Sequence, residues 1–400
     1  MSLSEIFATR TGRMKASEIR ELLKLLNQPD IISFAGGIPD PALFPTDAFA
    51  AAMAKALETP GQSLQYSTSE GFPPLRAWIA EHMSGLGIPC TADNILITSG
   101  SQQALDYLGK LFLSPNDTAL VGWPTYLGAL GAFNAYEPHY DRLDPATNRA
   151  PADFAAQAAD KGGRVKFAYL SVDFANPTGV TLTEEERLRV LTLADALDAA
   201  VIEDAAYQAL RYDGDAIPPI LALEIAQKGS IEACRTIYCG SFSKTLSPGL
   251  RVGWACAAQP VIDQMVLIKQ AADLQSATLN QIAMAEVATT IFDDHVARIR
   301  SHYAARRDRM LAALEQHMPK GVTWTRPEGG MFIWVTLPEG YDGAALLERS
   351  LETERVAFVP GAAFHPDGTG QRTIRLNFSS PDNRAIDEGI ARLGRLLQQD

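Results

Sequence analysis

The stretch Gly240-Ser241-Phe242-Ser243-Lys244-Thr245-Leu246-Ser247-Pro248-Gly249-Leu250-Arg251 decides how the rest of the chain is read. The strand-like run Thr236-Ile237-Tyr238-Cys239 leads into it, and Val252-Gly253-Trp254-Ala255 leads out. Between them stands one lysine, with hydroxyls before it and an arginine seven positions later. A lysine amine forms Schiff bases with aldehydes. Two serines, an arginine and small residues that let the backbone come close suit a phosphate. Aldehyde and phosphate occur together in pyridoxal 5'-phosphate (PLP), so this stretch can carry both ends of that cofactor. The competing reading is a surface loop with a solvated lysine, the default for an isolated Ser-x-Ser-Lys.

Composition narrows the field. The 400 residues are enough for two or three domains' worth of core, and 46% hydrophobic with 20% charged residues is ordinary for a folded protein. A net charge of −12 gives no basic footprint for nucleic acid or for a polybasic membrane anchor. The four cysteines, Cys90, Cys234, Cys239 and Cys256, form no Cys-x-x-Cys pair and have no histidine spacing suited to zinc, so no metal is expected and free thiols in a reducing cytosol are. Residues 1–20 lack a signal peptide's apolar core, and no apolar run reaches the roughly 20 residues needed to span a bilayer. A cytoplasmic protein is expected.

Along the chain, Ser17 is a candidate N-cap for a helix carrying Ile19, Leu22, Leu23 and Leu26 at helical spacing, ended by Pro29. Ile31-Ile32-Ser33-Phe34 is a short strand breaking into Gly36-Gly37, and a helix is expected over Asp47 to Leu57. Strand and helix patterns then alternate. Ile95-Leu96-Ile97-Thr98, Ala119-Leu120-Val121, Val165 to Val172, Val201-Ile202-Glu203 and Thr236 to Cys239 are strand-like, with Glu184 to Leu197 the clearest helix between them. That alternation indicates an α/β fold with a mostly parallel sheet covered by helices on both faces. From Val261 the pattern is mainly helical, and after Thr323 strands and helices return as a smaller α+β domain.

In such sheets ligands bind beyond the carboxyl ends of the strands. Gly100-Ser101-Gln102 offers backbone N–H groups at a helix start, which suits phosphate, although Gly-Ser before a helix is more often only a cap. Tyr126 in Trp123-Pro124-Thr125-Tyr126 follows a strand and either packs in the core or stacks on a planar heterocycle. Asn176-Pro177-Thr178-Gly179 is turn chemistry in its own right. Asp204 and Tyr207 end a strand as Asp-x-Ala-Tyr; a carboxylate there is a cap unless a pyridine nitrogen lies beside it, in which case it keeps that nitrogen protonated.

Asn-Pro-Thr-Gly, Asp-x-Ala-Tyr and Ser-x-Ser-Lys with Pro-Gly-x-Arg occur in that order, with Lys244 forty positions beyond Asp204. As a set they resemble PLP-dependent aminotransferases of the aspartate-aminotransferase fold, fold type I. The likeness runs from Gly36-Gly37 through Tyr66 to Arg375-Leu376-Asn377. The wording is similar to the 2-aminoadipate (LysN-like) and kynurenine aminotransferase group in Ile19-Arg20-Glu21-Leu22-Leu23-Lys24, Ser33-Phe34-Ala35-Gly36-Gly37, Gly100-Ser101-Gln102-Gln103-Ala104-Leu105-Asp106 and Gly329-Gly330-Met331-Phe332. Two departures border the expected pocket. Asp173-Phe174-Ala175 precedes Asn176 where a glutamine is expected next to the asparagine, and Ala205 stands where relatives often carry a second aspartate.

The resemblance implies a large PLP-binding domain over residues 46–290 with a seven-stranded sheet. It also implies a small α+β domain over 291–400, joined by an amino-terminal arm over 1–45. It makes Lys244 the Schiff-base and proton-carrying residue, Asp204 the partner of the pyridine nitrogen, and Asn176 and Tyr207 partners of the phenolic oxygen. Tyr126 stacks on the ring. Ser101, Gln102, Ser241, Ser243 and Arg251 hold the phosphate, joined by Tyr66 from a second subunit of a homodimer. Arg375 takes the substrate α-carboxylate, with Gly37 and Asn176 facing it, and Arg20 meets a distal carboxylate. The implied reaction is ping-pong transamination between an L-amino acid (2-aminoadipate, glutamate, aromatic or branched-chain) and a 2-oxo acid such as 2-oxoglutarate. A lyase or decarboxylase on the same fold is the alternative chemistry. A PLP-sensing domain of a transcriptional regulator is the non-enzymatic alternative, and it calls for a basic DNA-binding segment ahead of the core.

Overall fold

Six runs in the middle of the chain are buried on both faces, which is why they read as nearly continuous apolar sequence. They are strands in the computed structural model of the protein, which describes residues 3–14 and 30–398. In chain order the strands are β1 (Ile32–Ser33), β2 (Ile95–Thr98), β3 (Thr118–Val121), β4 (His139–Arg142), β5 (Val165–Leu170), β6 (Ala200–Asp204), β7 (Thr236–Ser241) and β8 (Gly253–Cys256). Then follow β9 (Thr323–Trp324), β10 (Phe332–Thr336), β11 (Val356–Ala357), β12 (Val359–Pro360) and β13 (Thr373–Asn377).

The principal sheet has seven strands in the order β2-β8-β7-β6-β5-β3-β4. β8 alone runs against the rest, pairing antiparallel with β2 and β7, and all other pairings are parallel. Successive residues point to opposite faces. Ala119, Val121, Phe167, Tyr169, Ile202 and Ile237 therefore pack with residues of the helices Ser101–Phe112 and Leu127–Asn134, while Leu120, Ala168, Leu170 and Val201 pack with residues of Glu184–Ala196. This is the layered arrangement the alternation predicts. The edge strand β4 escapes the sequence reading because His139-Tyr140-Asp141-Arg142 is polar and only partly buried.

A second, four-stranded antiparallel sheet has the order β12-β13-β10-β9, which leaves β13 between two partners and Arg375 opposite Trp334 on one side and Val359 on the other. The amphipathic helix Asn383–Gln398 covers this sheet with Ile386, Ile390, Leu393, Leu396 and Leu397. The 40-residue helix Thr278–His317 runs unbroken through position 290. It gives Ala283, Met284, Val287 and Phe292 to the core beneath the large sheet, and Ile299, Tyr303, Met310 and Leu314 to the core of the smaller one. Asp40 is pinned against it by Arg306 Nη2 at 2.7 Å, and Arg306 Nη1 also donates to Ser379 O at 2.5 Å. Phe34 N–H donates to Ala357 O at 2.7 Å, so the segment after β1 is stitched to the small sheet's side of the molecule. The helix expected from Ser17 and the residue Arg20 lie outside the described residues.

Candidate active site

The chemistry-bearing residues gather where the parallel strands end. β2 leads to Ser101 and Gln102, β3 to Tyr126, β5 to Asn176, β6 ends at Asp204 and leads to Tyr207, and β7 ends at Ser241 just before Ser243 and Lys244. Arg375 comes from the other sheet and reaches the same place, its Nη1 donating to Asn176 Oδ1 at 2.7 Å.

Asp204 is buried and accepts from Tyr169 Oη at 2.8 Å through Oδ2, while its Oδ1 is buried with no partner. Burial pushes its pKa up to about 6, against the pull of the Tyr169 hydrogen bond, the Ala206 backbone N–H and the Lys244 charge. A buried carboxylate oxygen with an unmet acceptor calls for a donor. The protonated nitrogen of a pyridine ring is such a donor, so this residue fits PLP.

The amine of Lys244 donates to Gly37 O at 2.7 Å and stands 5.7 Å from the centre of the Tyr207 ring. Burial, reinforced by the positive charges of Arg375 and Arg251, lowers its pKa to about 8. Tyr207 is itself buried, which raises its pKa; the neighbouring Tyr126 adds to the rise, and the Arg375 charge and a hydrogen bond to Asn176 oppose it. Tyr126 precedes the helix Leu127–Asn134 and its ring lies over Gly128, where an added Cβ would come within 2.4 Å of Tyr126 Cζ.

Arg375 is fully buried, and burial lowers its pKa to about 10. Its partners among the described residues are Asn176 Oδ1, Ala35 O at 2.8 Å and the faces of Phe332 (4.2 Å) and Phe364 (5.0 Å). No carboxylate is among them, and Nε has no partner. A buried guanidinium without a counter-ion is costly, so it calls for an anionic ligand.

The phosphate candidates form one cradle. Ser241 Oγ donates to Ser243 Oγ at 2.7 Å and accepts from Ser243 N at 3.0 Å, and Arg251 Nη1 lies 3.5 Å from Ser243 Oγ. Arg251 Nη2 donates to Ser99 O at 3.3 Å and crosses Gly100, where a Cβ would stand 2.3 Å from Nη2. Gly100 has φ +79, which glycine adopts without strain, and it precedes the helix Ser101–Phe112. Gly253 on β8 lets that helix start approach, since a Cβ there would be 2.6 Å from Ser101 N. Gln102 turns aside, its Nε2 donating to Gly128 O at 2.6 Å. Backbone N–H groups at a helix start, two hydroxyls and an arginine suit a phosphate.

Tyr66 is not brought to this group; it is 79% exposed. Arg20 is outside the described residues. The sequence reading missed Tyr169, whose hydroxyl in the apolar run Phe167-Ala168-Tyr169-Leu170 was the available signal. The departures have structural causes. Asp173 is buried in an ion pair with Arg187 at 2.7 Å, with Arg211 at 3.5 Å, and Phe174 packs where a Cβ on Gly330 would come within 2.5 Å of it. Ala205 is buried in the apolar core beneath the large sheet, where a second aspartate would be desolvated.

Residues 29–393 match the family described as Aminotransferase class I and II. The chain is 42% identical over 407 residues to aromatic-amino-acid aminotransferase 1 of Thermococcus litoralis, covering 100% of this chain and 96% of that one. It is 43% identical over 399 residues to the 2-aminoadipate transaminase of Thermus thermophilus, covering 100% and 98%. The structure resembles that of LysN, an alpha-aminoadipate aminotransferase from Thermus thermophilus complexed with N-(5'-phosphopyridoxyl)-L-leucine, with a TM-score of 0.88, 40% identity and coverage of 100% and 99%. The chain therefore belongs to the class I and II aminotransferases: it is a PLP-dependent enzyme of the aspartate-aminotransferase fold that catalyses transamination.

Proposed function

We propose that Arg375 binds the α-carboxylate of the amino acid and 2-oxo acid substrates, and that Lys244 carries the proton that transamination moves. The observation that carries this reading is the fully buried Arg375 guanidinium with no carboxylate partner among the described residues and a free Nε, held against Asn176. Its planar fork suits a carboxylate as a lysine does not, and Gly37 borders the same space. Asp204 Oδ1 would hold the pyridine N–H, Asn176 and Tyr207 would hold the phenolic oxygen, and Tyr126 would stack on the ring. Ser241, Ser243 and Arg251 would hold the phosphate with their side chains, and Ser101 and Gln102 with backbone N–H groups at the helix start, since the Gln102 side chain is turned to Gly128. When bound, PLP supplies an electron sink for the charge left at the substrate Cα. The Lys244 amine, with its pKa lowered to about 8, is a base near neutral pH. It takes the Cα proton as a free amine and gives it up as an ammonium.

The named relatives act on aromatic amino acids and on 2-aminoadipate, which supports one broad substrate set here: 2-aminoadipate, glutamate, aromatic and branched-chain amino acids, with 2-oxoglutarate as acceptor. Arg20 would meet the distal carboxylate of the dicarboxylic members. Tyr66 would complete the phosphate site of a second copy in a homodimer. In support, it stands exposed beside exposed Leu64, and the next residue, Ser67, donates its amide to Gln275, the neighbour of exposed Leu274. Residues 46–290 would form the cofactor domain, and residues 291–400 with the amino-terminal arm the smaller domain that carries Arg375. Free thiols at Cys90, Cys234, Cys239 and Cys256 accord with the cytoplasm. Half-reactions of single amino acids with the PLP form, followed by absorbance, test the substrate assignment with wild type and Arg20→Ala. Loss confined to glutamate and 2-aminoadipate is expected; equal loss for leucine and phenylalanine would remove Arg20 from the site.

A further inference from the structure

We propose that Lys269 is a positioning residue for the cofactor phosphate, acting through Gln103 and Ser99; this rests on the phosphate seat assigned above. Lys269 lies on the helix Gln259–Ala272 and its side chain is fully buried. Its amine donates to Gln103 Oε1 at 3.0 Å, Ser276 Oγ at 3.1 Å and Asp273 at 2.9 and 3.1 Å. Gln103 Oε1 also accepts from Ser99 N at 2.8 Å, and Gln103 Nε2 donates to Asp273 Oδ2 at 2.7 Å. The Ser99 hydroxyl meets Ser276 Oγ at 3.4 Å, and the Ser99 carbonyl accepts from Arg251 Nη2.

Every polar group of Ser99 is thus held, its amide and hydroxyl from the Lys269 side and its carbonyl by Arg251. Ser99 precedes Gly100, whose positive-φ, extended conformation sets where the amides of Ser101 and Gln102 point. A buried ammonium is costly to bury, and burial does lower the Lys269 pKa against the pull of Asp273. If Lys269 and Asp273 served only to pin two helices together, apolar side chains of similar size would do as well. What apolar side chains cannot do is order Gln103 so that it fixes the Ser99 amide. Lys269 also puts a positive charge behind the first turn of the helix that faces the phosphate.

A structural role and a phosphate role separate on one comparison, PLP against pyridoxal, which lacks the phosphate. Full-length protein freed of cofactor is titrated with each, in wild type, Lys269→Met and Gln103→Met, with circular dichroism as the check on folding. Both variants are expected to weaken PLP binding about tenfold, the value of one hydrogen bond to a charged group, and pyridoxal binding less than about twofold. The 31P resonance of bound PLP is expected to move in both. Equal weakening of the two ligands, no weakening, or failure of both variants to fold overturns the proposal, and if one variant fails to fold the other decides. If wild type itself does not prefer PLP to pyridoxal, the phosphate seat fails instead, a result the variants cannot mimic.

Discussion

Glu203 and Asp204 are neighbours on β6, both buried, and burial raises the pKa of each, to about 7 and about 6. They point to opposite faces of the sheet, and the surroundings differ in one respect. Glu203 accepts from Ile220 N at 2.8 Å and Leu221 N at 3.1 Å, so both oxygens meet donors at the start of the helix Ile220–Lys228. Asp204 meets a donor with one oxygen and leaves the other bare. The two buried arginines divide the same way. Arg187 spends its donors on Asp173 and on the carbonyls of Leu182, Ile217 and Pro218, whereas Arg375 keeps Nε unpaired and meets no carboxylate among the described residues. Burial alone therefore marks neither region as functional. Thr236 and Trp254 also bury a polar atom without a partner, so the mark is narrower: a buried carboxylate or guanidinium with an unmet demand, and Asp204 and Arg375 both lie close enough to Lys244 to shift its charge.

The sharpest way to break the comparison is to neutralise both carboxylates in turn. Asp204→Asn leaves a buried neutral amide where a negative charge should face the pyridine nitrogen. Breaking a buried charge pair costs about 3–5 kcal/mol, so kcat is expected to fall about two-hundredfold to five-thousandfold with folding intact. Glu203→Gln keeps only one acceptor for two amides, and is expected to lower unfolding free energy by about 2 kcal/mol with kcat near wild type. Chemical denaturation and single-turnover rates on both variants decide it. If Glu203→Gln costs kcat as much as Asp204→Asn, the division between the two faces is wrong.

The arginine pair should show a smaller contrast. Arg375→Lys keeps the charge and loses the fork, and is expected to raise KM for both amino acid and 2-oxo acid about thirtyfold to a hundredfold. Arg187→Met orphans Asp173 and is expected to destabilise by about 3 kcal/mol while leaving KM alone. A KM effect from Arg187→Met, or none from Arg375→Lys, would move the carboxylate site away from β13.

The layered fold was legible because Ile95-Leu96-Ile97-Thr98, Val201-Ile202-Glu203 and Thr236 to Cys239 are short, apolar and separated by helical periodicity. The site was legible only as an ordered set, because Asp204 alone reads as a strand-end cap and Lys244 alone as a solvated loop lysine. Arg375 was different: nothing local distinguishes it in Thr373-Ile374-Arg375-Leu376-Asn377, and only the resemblance pointed to it. Its isolation is a property of the contacts between two sheets, which sequence does not display. Tyr169 and Lys269 were missed for the same reason. Each sits in an apolar run and acts through a partner, Asp204 or Gln103, that is 35 or 166 positions away.

The smallest expected effect separates the two buried lysines. Lys244 must be neutral to attack the PLP aldehyde, and its pKa is lowered to about 8 by burial and by the charges of Arg375 and Arg251. An amine titrating there is about one-tenth neutral at pH 7 and nine-tenths neutral at pH 9, whereas an ordinary lysine near 10.4 is still almost wholly charged at pH 9. The rate at which cofactor-free protein takes up PLP, divided at each pH by the rate constant of a free alkylamine's neutral form to cancel the cofactor's own ionisation, should carry that difference in its shape. So corrected, the Lys244 rate should rise about tenfold between pH 7 and pH 9 and then level off. A rate still climbing tenfold per unit above pH 9 would show that the neighbours do not depress the amine. Arg375→Leu sharpens the test by removing a positive neighbour, so the midpoint should move up, while Lys269→Met should leave it unmoved because its charge is held by Asp273 on the far side of Gln103.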